Sequence, residues 1–136
     1  DKRYTPSYKK LCKELSIENS CQWLDWISED KKINLLNNCK SLIMPSLWEG
    51  FGLPVLEALA CGTPIIASNI GAIEEILEKK GIFFNPYDSK SIAYAMYEIA
   101  TNKSLENQFR EFGPNKAKEY SWNSAAEKIE KILSKI

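Results

Sequence analysis

Apolar residues follow two patterns along this chain, short continuous runs and longer stretches in which they recur at helical spacing. The runs at residues 41–46, 63–68 and 81–85 are predicted to be strands. Because these runs leave no polar side, they are typical of parallel strands that helices cover on both faces. An aromatic-rich fourth segment, residues 21–27, is also predicted to be a strand. The alternation of strands and helices predicts one α/β unit with a parallel sheet.

Capping residues indicate where the intervening helices begin. Thr5, followed by a proline, is predicted to start the first helix, and Ser28 is predicted to cap the second. Asp88 or Ser89 is predicted to cap a later helix, and Ser121 the last one. Two shorter helices are predicted at residues 54–61 and about 72–78. The residues predicted to form the buried sides of the first two helices are Tyr8, Leu11, Cys12, Leu15, Ile33, Leu36 and Cys39.

Two features of the C-terminal third affect how it packs. The helical pattern after Ser104 is predicted to extend to residue 112, because Gly113 and Pro114 should then break or kink the helix. The last helix carries an apolar stripe that either joins the core or faces another domain. That stripe comprises Trp122, Ala125, Ala126, Ile129, Ile132, Leu133 and Ile136.

The composition argues against several classes of function. Eighteen basic residues balance eighteen acidic ones, which argues against a nucleic-acid partner or an anionic membrane surface. The chain has no histidine, which excludes His-based triads, His metal ligands and the commonest general base. No apolar run approaches transmembrane length and no signal-peptide pattern opens the chain, so we predict a cytoplasmic protein.

The cysteines are Cys12, Cys21, Cys39 and Cys61, which are far apart and form no CxxC pair. Three of them fall among apolar residues. They are therefore predicted to be reduced, mostly buried thiols of an intracellular protein, and no metal site is predicted.

Residues 45–64, PSLWEGFGLPVLEALACGTP, carry the candidate chemistry. Gly50 and Gly52 permit a tight turn after a strand, and Pro54 suits the first turn of a helix. Gly62 suits the left-handed position just past the end of that helix. This strand, loop and helix are predicted to aim the N–H groups around residues 51–53 into the crevice at the carboxyl end of the sheet. A helix N-terminus at that place favours a phosphate or diphosphate.

Two carboxylates flank this loop. Glu49 lies in the loop, and Glu57 lies about one turn into the helix, from which it can reach back toward the crevice. Carboxylates accept hydrogen bonds from a sugar or ribose diol. From this geometry alone, an ordinary glycine turn with a solvated glutamate remains as good an interpretation. Val55 occupies the place of the third glycine of GxGxxG and no GK[ST] loop occurs, which disfavours a dinucleotide oxidoreductase or a P-loop phosphotransferase.

The segment PSLWEGFGLPVLEALACGTPIIAS closely resembles the signature of the retaining glycosyltransferases of family four, also called group 1, which have the GT-B fold. The family pattern has two glutamates eight positions apart, as Glu49 and Glu57 are here. Flanking features agree, and the resemblance extends from about residue 8 to about residue 130. These features are Gly71 and Glu75 in GAIEEIL, Gly81 before FFNPYD, and Tyr120, Ser121 and Trp122 at the start of the last helix.

The resemblance implies a role for each residue of the site. Glu57 is expected to bind the ribose hydroxyls of the nucleotide, and Glu49 to contact the transferred sugar as a donor-positioning catalytic residue. Ile27 matches the position that lies against the base. The backbone of the loop is expected to contact the sugar and diphosphate at Gly50, Phe51, Gly52 and Leu53. Thr63 lies near the site in some relatives, although a residue that simply starts a strand is an equal alternative.

The resemblance also implies how transfer proceeds. In the family the leaving diphosphate helps to deprotonate the acceptor on the same face, so neither a protein nucleophile, a metal nor another cofactor is expected. Two positions depart from the pattern. Asp25 stands where relatives often have Gly, and Glu74 replaces a frequent Pro.

The resemblance further implies that the chain is the back part of the C-terminal, nucleotide-sugar-binding domain. The first strands of that incomplete, Rossmann-like doubly wound sheet and the N-terminal acceptor domain are expected to be absent, so the strand at residues 21–27 should lack its neighbours. The family's basic pair cannot be assigned to Arg3, Lys9 or Lys10.

The expected partners are a nucleotide-diphosphate sugar and a glycan, lipid-linked or small-molecule acceptor, with any contact to the inner membrane made through the missing domain. Three hypotheses follow. They are a fragment of a glycosyltransferase, a natural subunit that needs a partner chain, and a noncatalytic sugar- or nucleotide-binding module.

Overall fold

A computed structural model describes residues 5–135, so Arg3 and Ile136 lie outside the described residues. Within this range the chain forms three strands, seven α-helices and a short 3-10 turn at Glu18–Ser20. The strands are β1 (Leu42–Met44), β2 (Ile65–Ser68) and β3 (Ile82–Phe84). The helices are α1 (Thr5–Glu14), α2 (Glu29–Asn38), α3 (Leu53–Ala60), α4 (Gly71–Leu77), α5 (Ser89–Thr101), α6 (Lys103–Lys118) and α7 (Trp122–Leu133).

The three strands form one parallel sheet in the order β1-β2-β3. Ile66 of β2 pairs with Ile43 on one side and with Ile82 on the other. The strands lie within the three continuous apolar runs, so those predictions are confirmed. Each helix that follows a strand returns the chain to the amino end of the sheet, which is the connection that parallel pairing requires.

Helices cover the sheet on both faces, and every residue of β2 is therefore buried. Ile65 and Ala67 point into one cluster with α3, α4 and α6, whereas Ile66 points into another cluster with Phe84 and the buried side of α5. Successive strand residues alternate between the two faces. The predicted fold class, a parallel α/β sheet wound on both faces, is confirmed.

Residues 21–27 form no strand, so that prediction is wrong. No strand among residues 5–135 lies beside this segment, and a strand exists only when its N–H and C=O groups pair with a neighbour. Its aromatic side chains remain largely in solvent, with Trp26 96% exposed. An aromatic-rich pattern without a pairing partner therefore yields extended, irregular chain.

The predicted end of the helix at residue 112 is also wrong, because α6 continues through Gly113 and Pro114. The alternative, a kink at these residues, stays a prediction. A proline clashes with the Cβ of the residue before it, which disfavours helical geometry there, and glycine has no Cβ. Gly113 is also buried against α3, where the carbonyl oxygen of Leu59 lies 2.5 Å from the position a Cβ would occupy. Packing between α3 and α6 therefore outweighs the local tendency to end the helix.

Helices α1 and α2 expose the apolar sides that were predicted to be buried, and α7 exposes the stripe that was predicted either to join the core or to face another domain. No residue of α1, α2 or α7 is buried. Ile33 is 47% exposed and Cys39 is exposed, while Leu36 packs against the core from outside. Trp122 at the start of the α7 stripe is 86% exposed. Among the described residues, that stripe is not part of the core.

The cysteines differ from the prediction in burial. All four are free thiols, and none is fully buried, since Cys12, Cys21 and Cys61 are half-buried and Cys39 is exposed. The Sγ atoms of Cys12 and Cys21 lie 3.7 Å apart. Loss of solvent around Cys12, followed by its hydrogen bond with Cys21, raises the pKa of the Cys12 thiol. The shortage of packing around α1 and α2 explains why these side chains are not enclosed.

Candidate functional site

A glycine loop joins the carboxyl end of β1 to the start of α3. Gly52 is the N-cap of α3 and has φ 89° and ψ 45°, a left-handed conformation that residues with a Cβ adopt only under strain. Gly50 has no positive φ, so the sharp turn depends on Gly52 alone. Pro54 lies in the first turn of α3, and Gly62 adopts φ 68° just past its end, as predicted.

The loop leaves backbone N–H groups available at the start of α3. Within residues 5–135, the N–H groups of Phe51, Gly52 and Leu53 have no protein acceptor. The next donors, Val55 and Leu56, already bond the Gly52 carbonyl at 2.9 and 3.3 Å. Three unpaired donors at a helix N-terminus can therefore bind an anion at the carboxyl edge of the sheet.

Glu49 is held by a hydrogen bond within the loop. Ser46 Oγ donates to Glu49 Oε1 at 2.8 Å, and both side chains are half-buried. The bond occupies one of the two carboxylate oxygens and leaves the other able to accept from a ligand hydroxyl. The S-x-x-E spacing resembles a helix capping box, but here it fixes a loop carboxylate.

Glu57 is joined to α2 by an ion pair. Lys32 Nζ lies 2.8 Å from Glu57 Oε1 and 2.9 Å from Glu29 Oε2, so it bridges two carboxylates. The hydrogen bonds that Lys32 donates to Glu57 and then to Glu29 raise the pKa of Lys32. The sequence analysis missed Lys32, because only its i,i+3 spacing from Glu29 is visible locally. Glu57 is 25 residues away.

The remaining two predicted site residues belong to other segments of the chain. Ile27 is half-buried and comes directly before Ser28, the N-cap of α2. Thr63 is 3% exposed, and its Oγ1 donates to the Leu36 carbonyl at 2.7 Å. Because Thr63 follows the end of α3, it lies at the amino end of β2, opposite the glycine loop. Its position matches the alternative interpretation, that of a packing residue at the start of a strand.

A mainly apolar cavity of about 380 Å³ adjoins the loop. Phe51 and Leu53 line it from one side, and Tyr120 and Trp122 line it from the other. The ring of Phe51 meets that of Tyr120 edge-on at 5.9 Å between centroids. The start of α7 therefore lies against the loop, which joins two sequence features that are far apart in the chain. Neither Glu49 nor Glu57 lines this cavity.

Residues 5–135 contain no group of three or more Cys, Asp and Glu side chains arranged to hold a metal ion. None of their helices combines the length and the apolar character needed to cross a membrane.

A parallel α/β sheet with helices on both faces and a glycine loop after a strand is the architecture of the Rossmann-like doubly wound folds. Residues 1–116 match the family described as glycosyl transferases group 1. The chain belongs to this family. The structure also resembles sucrose-phosphate synthase from Thermosynechococcus elongatus, with a TM-score of 0.83 and 23% identity over 94% of this chain and 33% of that one. The expected GT-B fold is thereby confirmed.

Curated relatives carry related names. A serotype-specific mannosyltransferase of Escherichia coli is 34% identical over 101 residues, which is 74% of this chain and 12% of the relative. An uncharacterized glycosyltransferase of Methanocaldococcus jannaschii is 32% identical over 123 residues, 85% of this chain and 30% of the relative. A D-inositol 3-phosphate glycosyltransferase of Corynebacterium jeikeium is 27% identical over 93% of this chain. The chain thus spans a third or less of these relatives.

Proposed function

We propose that the protein transfers a sugar from a nucleoside-diphosphate sugar to an acceptor, with retention at the anomeric carbon, and that this chain supplies part of the donor site. The observation that carries the proposal is the glycine loop, which presents three unpaired N–H groups between Glu49 and Glu57. Membership of the glycosyl transferases group 1 supports it independently.

Each element of the site suits one part of the donor. The N–H groups of Phe51, Gly52 and Leu53 bind the diphosphate and sugar, since a helix N-terminus favours negative charge. Gly50 lets the ligand approach the backbone. Glu57 accepts from the ribose hydroxyls through Oε2, the oxygen that Lys32 leaves free. The carboxylate held by Ser46 accepts from the sugar hydroxyls.

Two residues contribute from the periphery. Ile27 offers an apolar side chain to the base at the start of α2. Thr63 acts indirectly, because its hydrogen bond to Leu36 fixes α2, the helix that carries Lys32.

Transfer needs no protein nucleophile in this arrangement. The acceptor oxygen forms a bond to the anomeric carbon on the face from which the diphosphate departs. The acceptor proton passes to an oxygen of the departing diphosphate. This route suits a chain without histidine and leaves Glu49 as a group that positions the donor.

The acceptor and the remainder of the donor site are assigned to other parts of the protein. We assign the chain to a C-terminal donor domain and the acceptor to an N-terminal domain. Because curated relatives include mannosyltransferases, mannose nucleotides are the first donors to test, with glycans as acceptors.

Nucleotide binding tests the carboxylate assignments. Isothermal titration with UDP, GDP and ADP should give saturable binding of one of them. Glu57→Ala should weaken that binding about 10- to 100-fold, since it removes hydrogen bonds to a charged group. Glu49→Ala should change it little and reduce binding of the sugar nucleotide instead. Glu111→Ala, an exposed α6 glutamate, serves as the control. Equal affinity of wild type and Glu57→Ala would exclude the ribose role.

A transfer assay on the protein separates the remaining hypotheses. The donor that binds is incubated with candidate acceptors, and the product's anomeric configuration is read by NMR. A product with inverted configuration would exclude retention. Donor binding that never leads to transfer would replace the proposal with a noncatalytic binding module, and turnover restored by a second chain would indicate a subunit.

A further inference from the structure

Lys32 is a cation beside the site that no part of the proposed chemistry uses directly. We infer that Lys32 is a positioning residue that aims the Glu57 carboxylate at the ribose, and so sets the preference for a ribonucleotide over a nucleotide without ribose hydroxyls. This inference rests on the proposed function, because it assumes that Glu57 meets the ribose.

Only one of the two carboxylate oxygens of Glu57 has a partner in the part of the chain that the structure describes. Lys32 Nζ contacts Oε1 at 2.8 Å, and Oε2 has no partner among residues 5–135. A glutamate on a helix otherwise turns about three side-chain bonds, and ordering it at the moment of binding costs conformational entropy. An ion pair formed before the nucleotide arrives removes part of that cost, which is the usual basis of preorganisation. The free oxygen is then held where a diol can donate to it.

The lysine is itself fixed from two sides. Its ammonium also contacts Glu29 one turn earlier, at 2.9 Å. The Lys32 and Glu57 side chains are 30% and 41% exposed, whereas Glu29 is 78% exposed, so the Glu57 contact is the better shielded. One turn beyond Lys32, the Leu36 carbonyl accepts the bond from Thr63. These contacts hold α2 at a defined distance from α3.

Charge gives Lys32 a second effect on the same group. Glu49 and Glu57 are both carboxylates near a site proposed for a diphosphate, so unpaired negative charge there would repel the ligand. Lys32 offsets the charge of Glu57 without contacting the glycine loop. Removing the ammonium therefore both frees the carboxylate and increases repulsion.

The test compares the binding of two ligands to wild type and to four variants of the protein, one of which is Glu57→Ala. Isothermal titration measures the affinity of each protein for two ligands. One is the ribonucleoside diphosphate that binds wild type, and the other is the 2′,3′-dideoxy analogue of that nucleotide. Lys32→Met keeps the length of the side chain and removes the charge, Lys32→Arg keeps the charge, and Lys31→Met changes the adjacent exposed lysine as a control. Thermal melts check that each variant folds, with Lys32→Gln replacing Lys32→Met if the latter does not.

Lys32→Met should lower affinity for the ribonucleotide about 3- to 10-fold, with a smaller loss for the dideoxy analogue, so discrimination falls. Lys32→Arg should keep most of the preference for the ribonucleotide, and Lys31→Met should bind both ligands as wild type does. If wild type discriminates and Glu57→Ala abolishes the preference, but Lys32→Met retains it, the inference is overturned while the proposed function stands. If wild type shows no preference for the ribonucleotide, the ribose assignment and the inference both fail.

Discussion

Gly113 lies where α6 packs on α3, and replacing it with alanine tests how closely these two helices must approach. A Cβ at this position would meet the Leu59 carbonyl oxygen at 2.5 Å and the Leu59 Cα at 3.3 Å. Both are backbone atoms of the helix that carries Glu57, so no flexible side chain can move aside. The two helices must separate instead.

Two opposing effects determine how much Gly113→Ala lowers the free energy of unfolding. Ordinary contact begins at 3.4 Å, so the carbonyl must retreat by roughly 0.9 Å, and overpacking of this kind costs about 2–3 kcal/mol. Alanine in a helix interior ordinarily gains about 1 kcal/mol over glycine, but here the new Cβ precedes Pro114, and the clash between them offsets most of that gain. The net destabilisation is about 2–3 kcal/mol, which lowers Tm by about 6–10 °C for a domain of this size.

Thermal unfolding followed by circular dichroism measures the effect, with Gly71→Ala as the matched control. Gly71 also lies in a helix, but a Cβ there meets nothing within 4 Å, so its Tm should stay the same or rise. A Gly113→Ala protein as stable as wild type would refute the argument that close packing on α3 keeps α6 continuous.

Three further predictions concern the loop, the attachment of α2 and the dependence on pH. Gly52→Ala should cost about 1–2 kcal/mol through its left-handed φ and weaken nucleotide binding, which a melt and a titration measure. Thr63→Val should cost about 1 kcal/mol in urea unfolding, because the Leu36 carbonyl loses its short bond from Thr63 and, among residues 5–135, keeps only the Cys39 thiol, 3.4 Å away. Lys116, which is buried and paired with Glu78, lowers the pKa of that carboxyl. The resulting stability is present above the ordinary value of 4.5 and is lost as pH falls through the lowered pKa. Melts of Lys116→Met and wild type should therefore converge in acid.

Controls are available for each of these variants. Gly50→Ala tests the loop without a positive φ and should be better tolerated than Gly52→Ala. Thr101→Val removes a hydroxyl that bonds only to exposed helix carbonyls, so its effect should stay within about 0.5 kcal/mol. A difference between Lys116→Met and wild type that is the same at pH 3 and pH 7 would contradict a stabilising contribution from the ion pairs of Lys116 with Glu78 and Glu119.

Local chemistry explains why several elements were predicted correctly. Ser28, Asp88 and Ser121 each cap a helix by accepting from a backbone N–H two or three residues later. Gly52 and Gly62 both adopt the left-handed conformation at the ends of α3. These interactions involve residues a few positions apart, so the sequence contains both partners of each one.

Errors arose where the deciding partner is distant in the chain. Residues 21–27 have strand composition, but no described strand pairs with them. The thiols were expected to be buried, yet the helices around them cover little of their surface. In both cases composition describes what a segment can do, whereas neighbouring elements determine what it does.

The sequence by itself determined the α/β class, the three strands, the caps and the loop with its two glutamates. Each of these depends on residues that are close together in the chain, through the periodicity of apolar residues, the turn residues or the long glycosyltransferase motif. Only the tertiary structure decided that α6 passes through Gly113, that Thr63 bonds to α2, and that Lys32 holds Glu57. Each of these depends on two segments meeting in space. The geometry of these contacts follows from how the helices pack on the sheet, and the spacing of residues along the chain does not predict it.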